Sequence, residues 1–190
     1  MTAPLRRFFL CACAIPLLGT AAHAGTDLFK AFAFEARLSY LSPAGNLADA
    51  LRPAPGAGLR VATPYYGRSD AFLFLDIAGP EARSGSIPVR FGAGGLGLEW
   101  TGLPAYLPRP GAGAAMYEAR IRAGDDPDGR FPFLHGGEAE FGSFASLRWE
   151  RPLGRSALLS ASARWDVIFT LPEYSQFLSA SVGAGWRWTR

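Results

Sequence analysis

His135 lies in Phe133-Leu-His-Gly-Gly137 and is one of two histidines in a chain of 190 residues. A histidine is the natural acid–base group near neutral pH, but catalysis of acyl transfer also needs a nucleophile placed beside it. No serine adjoins His135, and its nearest neighbours are glycines, so an exposed loop is the expectation. Asp125-Asp126-Pro127-Asp128-Gly129 covers part of a calcium loop but lacks the closing glutamate, and it reads as a solvated acidic turn. Glu138 and Glu140 share one face of an extended strand, the spacing of an acid–base pair, yet Arg120 and Arg148 are available to hold both in ion pairs. Gly92 to Gly97 is glycine-rich, but no helix follows to make a phosphate site. The residues therefore point to no catalytic, cofactor-binding or metal site.

The N-terminal segment 1–24 has the order of a secretory signal peptide. Arg6 and Arg7 precede the apolar run Phe8 to Leu18, and Ala22-His23-Ala24 makes a small-residue cleavage site. The run is too short to cross a bilayer as a helix, which takes about 20 apolar residues. Residues 25–190 then form one domain. Both cysteines, Cys11 and Cys13, fall in the leader, so the mature chain holds no disulfide, thiol nucleophile or zinc-thiolate site. The net charge of +3 falls to +1 once the two leader arginines are removed. No run of like charge suits nucleic acid.

Eight segments carry a period of two: roughly 32–41, 57–66, 71–78, 87–100, 112–122, 138–150, 156–169 and 176–188. Glycine, proline, aspartate and asparagine cluster between them, as turns require. No convincing helix follows the leader. In the seventh segment Leu159, Ala161, Ala163, Trp165 and Val167 oppose Ser160, Ser162, Arg164 and Asp166. The fifth places Ala115, Tyr117, Ala119 and Ile121 against Glu118, Arg120 and Arg122. The fourth changes phase between Phe91 and Leu96, which predicts a β-bulge at Gly92-Ala93-Gly94-Gly95.

Such a chain forms a soluble barrel with its apolar face inside or a transmembrane barrel with its apolar face outside. The polar face decides between them. It carries Glu35, Asp76, Glu99, Glu118, Glu138, Glu140, Glu150 and Asp166 against Arg37, Arg60, Arg90, Arg120, Arg122, Arg148, Arg164 and Arg187. Water needs no such balance, whereas a closed lumen does, because an unpaired charge away from water is costly. The chain also has a single lysine, Lys30, and arginine is the better partner for buried carboxylates. Tyr40, Tyr65, Tyr117, Trp100, Trp149, Trp165, Trp186 and Trp188 along the apolar face or near the strand ends suit membrane interfaces. The expectation is an all-β, antiparallel eight-stranded transmembrane barrel with a lumen filled by those charges and by Phe72, Phe74, Met116 and Phe144.

This pattern resembles the small eight-stranded outer-membrane β-barrel proteins of Gram-negative bacteria, the outer membrane protein A and X type. Val182, Ala184, Trp186 and Trp188 look like the C-terminal strand read by the barrel-assembly machinery, and Leu41 to Asp49 looks like the group's first surface loop. The resemblance implies the outer membrane as location, its lipids and lipopolysaccharide as surroundings, a monomer, and both termini in the periplasm. Loops near 42–56, 79–86, 123–137 and 170–175 would be extracellular, and turns near 67–70, 101–111 and 151–155 periplasmic. The function expected is structural or a surface-loop binding and adhesion role, with no enzyme activity, no cofactor and an extracellular ligand the residues do not name. Asp125, Asp126, Asp128, Arg130, Phe131, Phe133 and His135 make 123–137 the candidate binding loop. The alternatives are a lipid-modifying enzyme, a small-solute channel, and an exported soluble β-barrel for a small apolar ligand.

Overall fold

The computed structural model describes residues 30–45, 47–83, 87–121, 125, 138–169 and 174–189. The leader expected over 1–24 lies outside them. Eight strands appear in chain order: β1 (Ala31–Ala44), β2 (Ala54–Tyr66), β3 (Ser69–Ala78), β4 (Arg90–Trp100), β5 (Arg109–Arg120), β6 (Glu138–Leu153), β7 (Ala157–Ile168) and β8 (Ser175–Thr189). Each pairs antiparallel with its neighbours. β1 closes the barrel on β8, from Ala31 opposite Thr189 to Ala44 opposite Gln176. Closure leaves no strand edge with unpaired backbone groups, which a sheet in lipid requires.

The surface is inverted relative to a soluble protein. Leu38 is 69% exposed and Val182 61%, whereas Glu99 is 2% and Asp166 1% exposed. Phe34, Leu59, Leu73, Leu75 and Ile77 extend the same outward band, and Trp100, Trp149, Trp165, Trp186 and Trp188 lie exposed along it. A water-soluble barrel would bury these and wet the charges. This is the exterior of a transmembrane barrel.

The bulge expected in β4 is absent. Its register with β3 runs unbroken from Trp100 opposite Ser69 to Phe91 opposite Ala78. Phe91, Ala93, Gly95, Gly97 and Glu99 all face the lumen, and the glycines serve close packing. A Cβ on Gly97 would lie 2.8 Å from ring carbons of both Phe72 and Phe144. The fifth segment is likewise turned over. Ala115, Tyr117 and Ile121 are buried inside, while Met116, Glu118 and Arg120 take the outward register.

The reason for both corrections is height. The loop end of the barrel rises past the apolar band, so its outer face meets water and accepts charge. Its inner face is then free to be apolar, and Leu41, Phe91, Tyr117, Ile168 and Phe177 fill it. A one-turn helix, α1 (Leu47–Ala50), which the sequence pattern did not signal, follows Gly45 at φ 57°. The loop containing it joins the β3–β4 loop: Leu51 bridges Ala82, the Arg52 amide donates to the Glu81 carbonyl at 2.8 Å, and the Arg83 amide donates to the Ala50 carbonyl at 2.9 Å. Ala82, Ile87, Val89 and Ile121 form a small second core beneath them. At the other end the connections after β2 and β6 are tight, with Gly67 and Gly154 at positive φ, and the one after β4 is longer.

Candidate functional site: a charge-locked lumen

Alternate residues of one strand share a face, so spacing of two builds charge pairs directly. Glu35 and Arg37 on β1, Arg148 and Glu150 on β6, and Arg164 and Asp166 on β7 all enter the lumen in this way. They meet partners from other strands in two clusters.

The cluster nearer the turn end centres on Arg148. Its guanidinium donates to Glu35 at 2.6 Å and Glu150 at 2.7 Å and reaches Glu99 at 3.4 Å. Arg60 donates to the other Glu99 oxygen at 2.9 Å. Arg109 lies 3.3 Å from Glu150, Arg187 pairs with the same carboxylate, and the Ser160 hydroxyl donates to Glu35 at 2.6 Å. Toward the loop end, Asp76 accepts from Arg37 and Arg164, both at 2.7 Å. Arg164 also donates to Asp166 at 3.0 Å, and the Tyr117 hydroxyl donates to Asp166 at 2.6 Å.

Between the clusters lies an aromatic layer. Phe74 and Phe144 meet edge to face with centroids 5.3 Å apart. Arg60 sits 4.5 Å over the Phe72 ring and Arg164 4.3 Å over Phe74, so each cluster caps the layer by a cation–π contact. The opposite side is lined by small hydroxyls, with Ser162 and Ser181 oxygens 2.7 Å apart. A cavity of about 40 Å³ remains beside Ser146, Ser162, Ser179 and Ser181. It matches water in size and no larger solute.

The lumen thus brings together Glu35, Arg37, Arg60, Asp76, Glu99, Arg148, Arg164, Asp166 and Arg187 as expected, with Glu140 in the inward register above Phe144. It does not include Arg90, Glu118 or Arg120. Arg120 pairs with Glu118 on the outer face at 3.6 Å, both half-exposed, and Arg90 stands opposite Arg120 in the β4–β5 ladder. Met116 faces outward as well. Arg122 and the Glu138 side chain lie outside the described residues. So do Asp126, Asp128, Arg130, Phe131, Phe133 and His135 of the candidate loop, while Asp125 is exposed.

Sequence reasoning missed Asp70 and Arg109, which had been assigned to turns. Asp70 continues the inward series Phe72, Phe74, Asp76, and Arg109 the series Gly111, Gly113, Ala115. Extending the alternation of the third segment by one step finds Asp70, whereas Arg109 follows only once the fifth segment is turned over. The outward face of β8 shows Val182, Trp186 and Trp188 to the surroundings, with Ala184 between them. Chemically, Glu35, Asp76, Glu99, Glu150 and Asp166 are each held in ion pairs by arginine. Among the described residues no group of three or more His, Cys, Asp or Glu is placed to hold a metal ion.

The fold is that of the small outer-membrane barrels. The chain superimposes on Neisserial surface protein A with a TM-score of 0.59 at 12% identity, covering 84% of this chain and 99% of that one. OprG from Pseudomonas aeruginosa matches with a TM-score of 0.54 at 10% identity, covering 85% and 97%. Ail, the attachment invasion locus protein of Yersinia pestis, solved with the heparin analogue sucrose octasulfate, matches with a TM-score of 0.50 at 11% identity, covering 83% and 97%. Sequence comparison finds no matching family model and no matching curated protein.

Proposed function

We propose that this chain is an outer-membrane surface protein whose closed barrel is a rigid scaffold for extracellular binding loops. The observation that carries the reading is the filled lumen: two ion-pair clusters and an aromatic layer close it to solutes, which leaves its ends as the surfaces available for function. Short turns mark the periplasmic end and longer loops the extracellular end in barrels of this kind. The sequence between β5 and β6 carries charged and aromatic residues together in Asp125, Asp126, Asp128, Arg130, Phe131, Phe133 and His135. Structural likeness to an attachment protein solved with a sulfated sugar supports adhesion to a cell or matrix surface as the class of activity.

The same reading gives export through cleavage of residues 1–24, handover to the barrel-assembly machinery through Val182, Ala184, Trp186 and Trp188, and residence as a monomer among outer-membrane lipids. Lipopolysaccharide phosphates would meet Arg90 and Arg120 on the outer face at the loop end. No enzymatic step is assigned, because Glu35, Asp76, Glu99, Glu150 and Asp166 are committed to ion pairs and His135 has no nucleophile beside it in sequence.

Deletion of residues 125–134 tests the proposal. The deleted protein should keep its heat-modifiable gel mobility and lose binding to cells, matrix or lipopolysaccharide that the intact protein shows. Neither form should conduct in a planar bilayer. Stable open channels would overturn the scaffold reading. Acyl-chain release that is lost on His135→Ala would replace it with an enzyme.

A further inference from the structure

The connection between β4 and β5, residues 101–108, is long for a turn at this end, and it folds back against the barrel wall. The Thr101 amide donates to the Arg68 carbonyl at 2.7 Å, and the Leu107 amide to the Pro104 carbonyl at 2.9 Å. Gly102 lies where a Cβ would come within 2.6 Å of the Arg68 side chain, so the connection starts packed against the β2–β3 turn. Tyr106, 78% exposed, lines an open groove together with Trp149 and Arg151 of β6 and Leu159 and Ala161 of β7, and Glu150, whose carboxylate is buried in the lumen cluster, also borders it. Leu103 and Leu107 are exposed beside it. Apolar and aromatic groups displayed this way belong at a bilayer interface rather than in open water.

The charges at this end are one-sided. Lys30, Arg68, Arg151 and Arg155 are exposed, and Arg155 sits in the tight turn joining the two strands of the groove. Among the described residues here, Glu99 and Glu150 are buried in the lumen cluster and Asp70 shares their inward face. The loop end instead mixes Asp49, Glu81, Glu118 and Asp125 with Arg52, Arg83, Arg90 and Arg120.

A basic rim calls for an anion, and an apolar lining on the lipid-facing side of β7 calls for a hydrocarbon chain. An acidic polypeptide would satisfy the rim and leave the lining to the bilayer. We infer that the groove is a site for an anionic phospholipid of the adjoining leaflet. Its phosphate lies at Arg151 and Arg155, and one acyl chain lies along Tyr106, Trp149, Leu159 and Ala161. The inference rests on the membrane placement proposed above. It gives the long turn a role: it brings Tyr106 to the lipid seat.

The test uses the intact barrel in nanodiscs of equal phosphatidylglycerol and phosphatidylethanolamine, released into detergent and weighed with its retained lipids by native mass spectrometry. Heat-shift mobility, measured first, reports separately on whether the protein is a folded barrel. The wild type should retain phosphatidylglycerol in preference. Arg151→Gln with Arg155→Gln should reduce that preference by about fivefold per arginine. Tyr106→Ser should reduce retention of both lipids, and Arg83→Gln at the loop end should change nothing. Absence of preference in the wild type, unchanged preference in the double variant, an equal loss in Arg83→Gln, or full retention in Tyr106→Ser would each overturn the site. Displacement of the lipid by polyglutamate would overturn it in favour of an acidic protein partner.

Discussion

Arg148 is the residue on which the turn-end cluster depends. It contacts Glu35, Glu99 and Glu150, and all four side chains are withdrawn from solvent. Removing it leaves carboxylates in a closed lumen with too few partners, and breaking a buried pair costs about 3–5 kcal/mol. Arg120, which the alternation had also assigned to the lumen, pairs with Glu118 at the surface, where an ion pair is worth roughly 0–1 kcal/mol. Arg148→Met should therefore lower the urea midpoint of the barrel in lipid vesicles strongly, and Arg120→Met should barely move it. Equal losses would put Arg120 back inside. The two arginines look alike in sequence, each flanked by alternating apolar residues. They differ because Arg148 lies deep in the barrel and Arg120 lies at its rim.

Strand β4 makes a similar point for an element. Its glycines looked like the site of a phase change, but they face alternate sides of an unbroken strand and serve different ends. Gly95 and Gly97 yield lumen space to Phe72, Phe74 and Phe144, whereas Gly92 faces outward with no atom nearer than 4.0 Å to an added Cβ. Gly97→Val should cost about 1–3 kcal/mol as an overpacked interior, and Gly92→Ala should be nearly neutral, both read from unfolding of the folded barrel. A bulged β4 would turn Gly92 inward as well, so that Gly92→Ala would also destabilise. The aromatic layer could not be read from β4 alone, because the rings that fill its glycine notches come from β3 and β6.

At the scale of the whole molecule, the apolar belt defines the solvent. Leu75 is exposed midway along β3, in a band with Leu38, Leu59 and Val182. Leu75→Arg should cost about 2–4 kcal/mol if that position lies at the bilayer midplane, measured by reversible unfolding from lipid vesicles. In a water-soluble barrel an exposed leucine would accept arginine with little change, so a neutral result would sink the transmembrane fold. The belt also explains why the interior needs balanced charge. A barrel of eight strands is just filled by its own side chains, and here the filling is two ion-pair clusters separated by phenylalanines.

Period-two alternation by itself determined the number of strands and their approximate limits. These follow from local geometry, since successive side chains on an extended chain must point to opposite sides. The outward direction of the apolar face was read from the opposite face, where arginine is set against carboxylate as a closed lumen requires. Tertiary structure decided the rest. Arg148 reaches Glu35 across 113 positions of sequence, and Arg164 reaches Asp76 across 88. Closure of β1 on β8 sets these pairings, and no periodicity records it. Closure also sets how far each strand rises past the apolar band. Arg90, Glu118 and Arg120 were misplaced for that reason: apolar-out holds only within the bilayer, and beyond it water lets charge face outward while phenylalanine and tyrosine fill the inside.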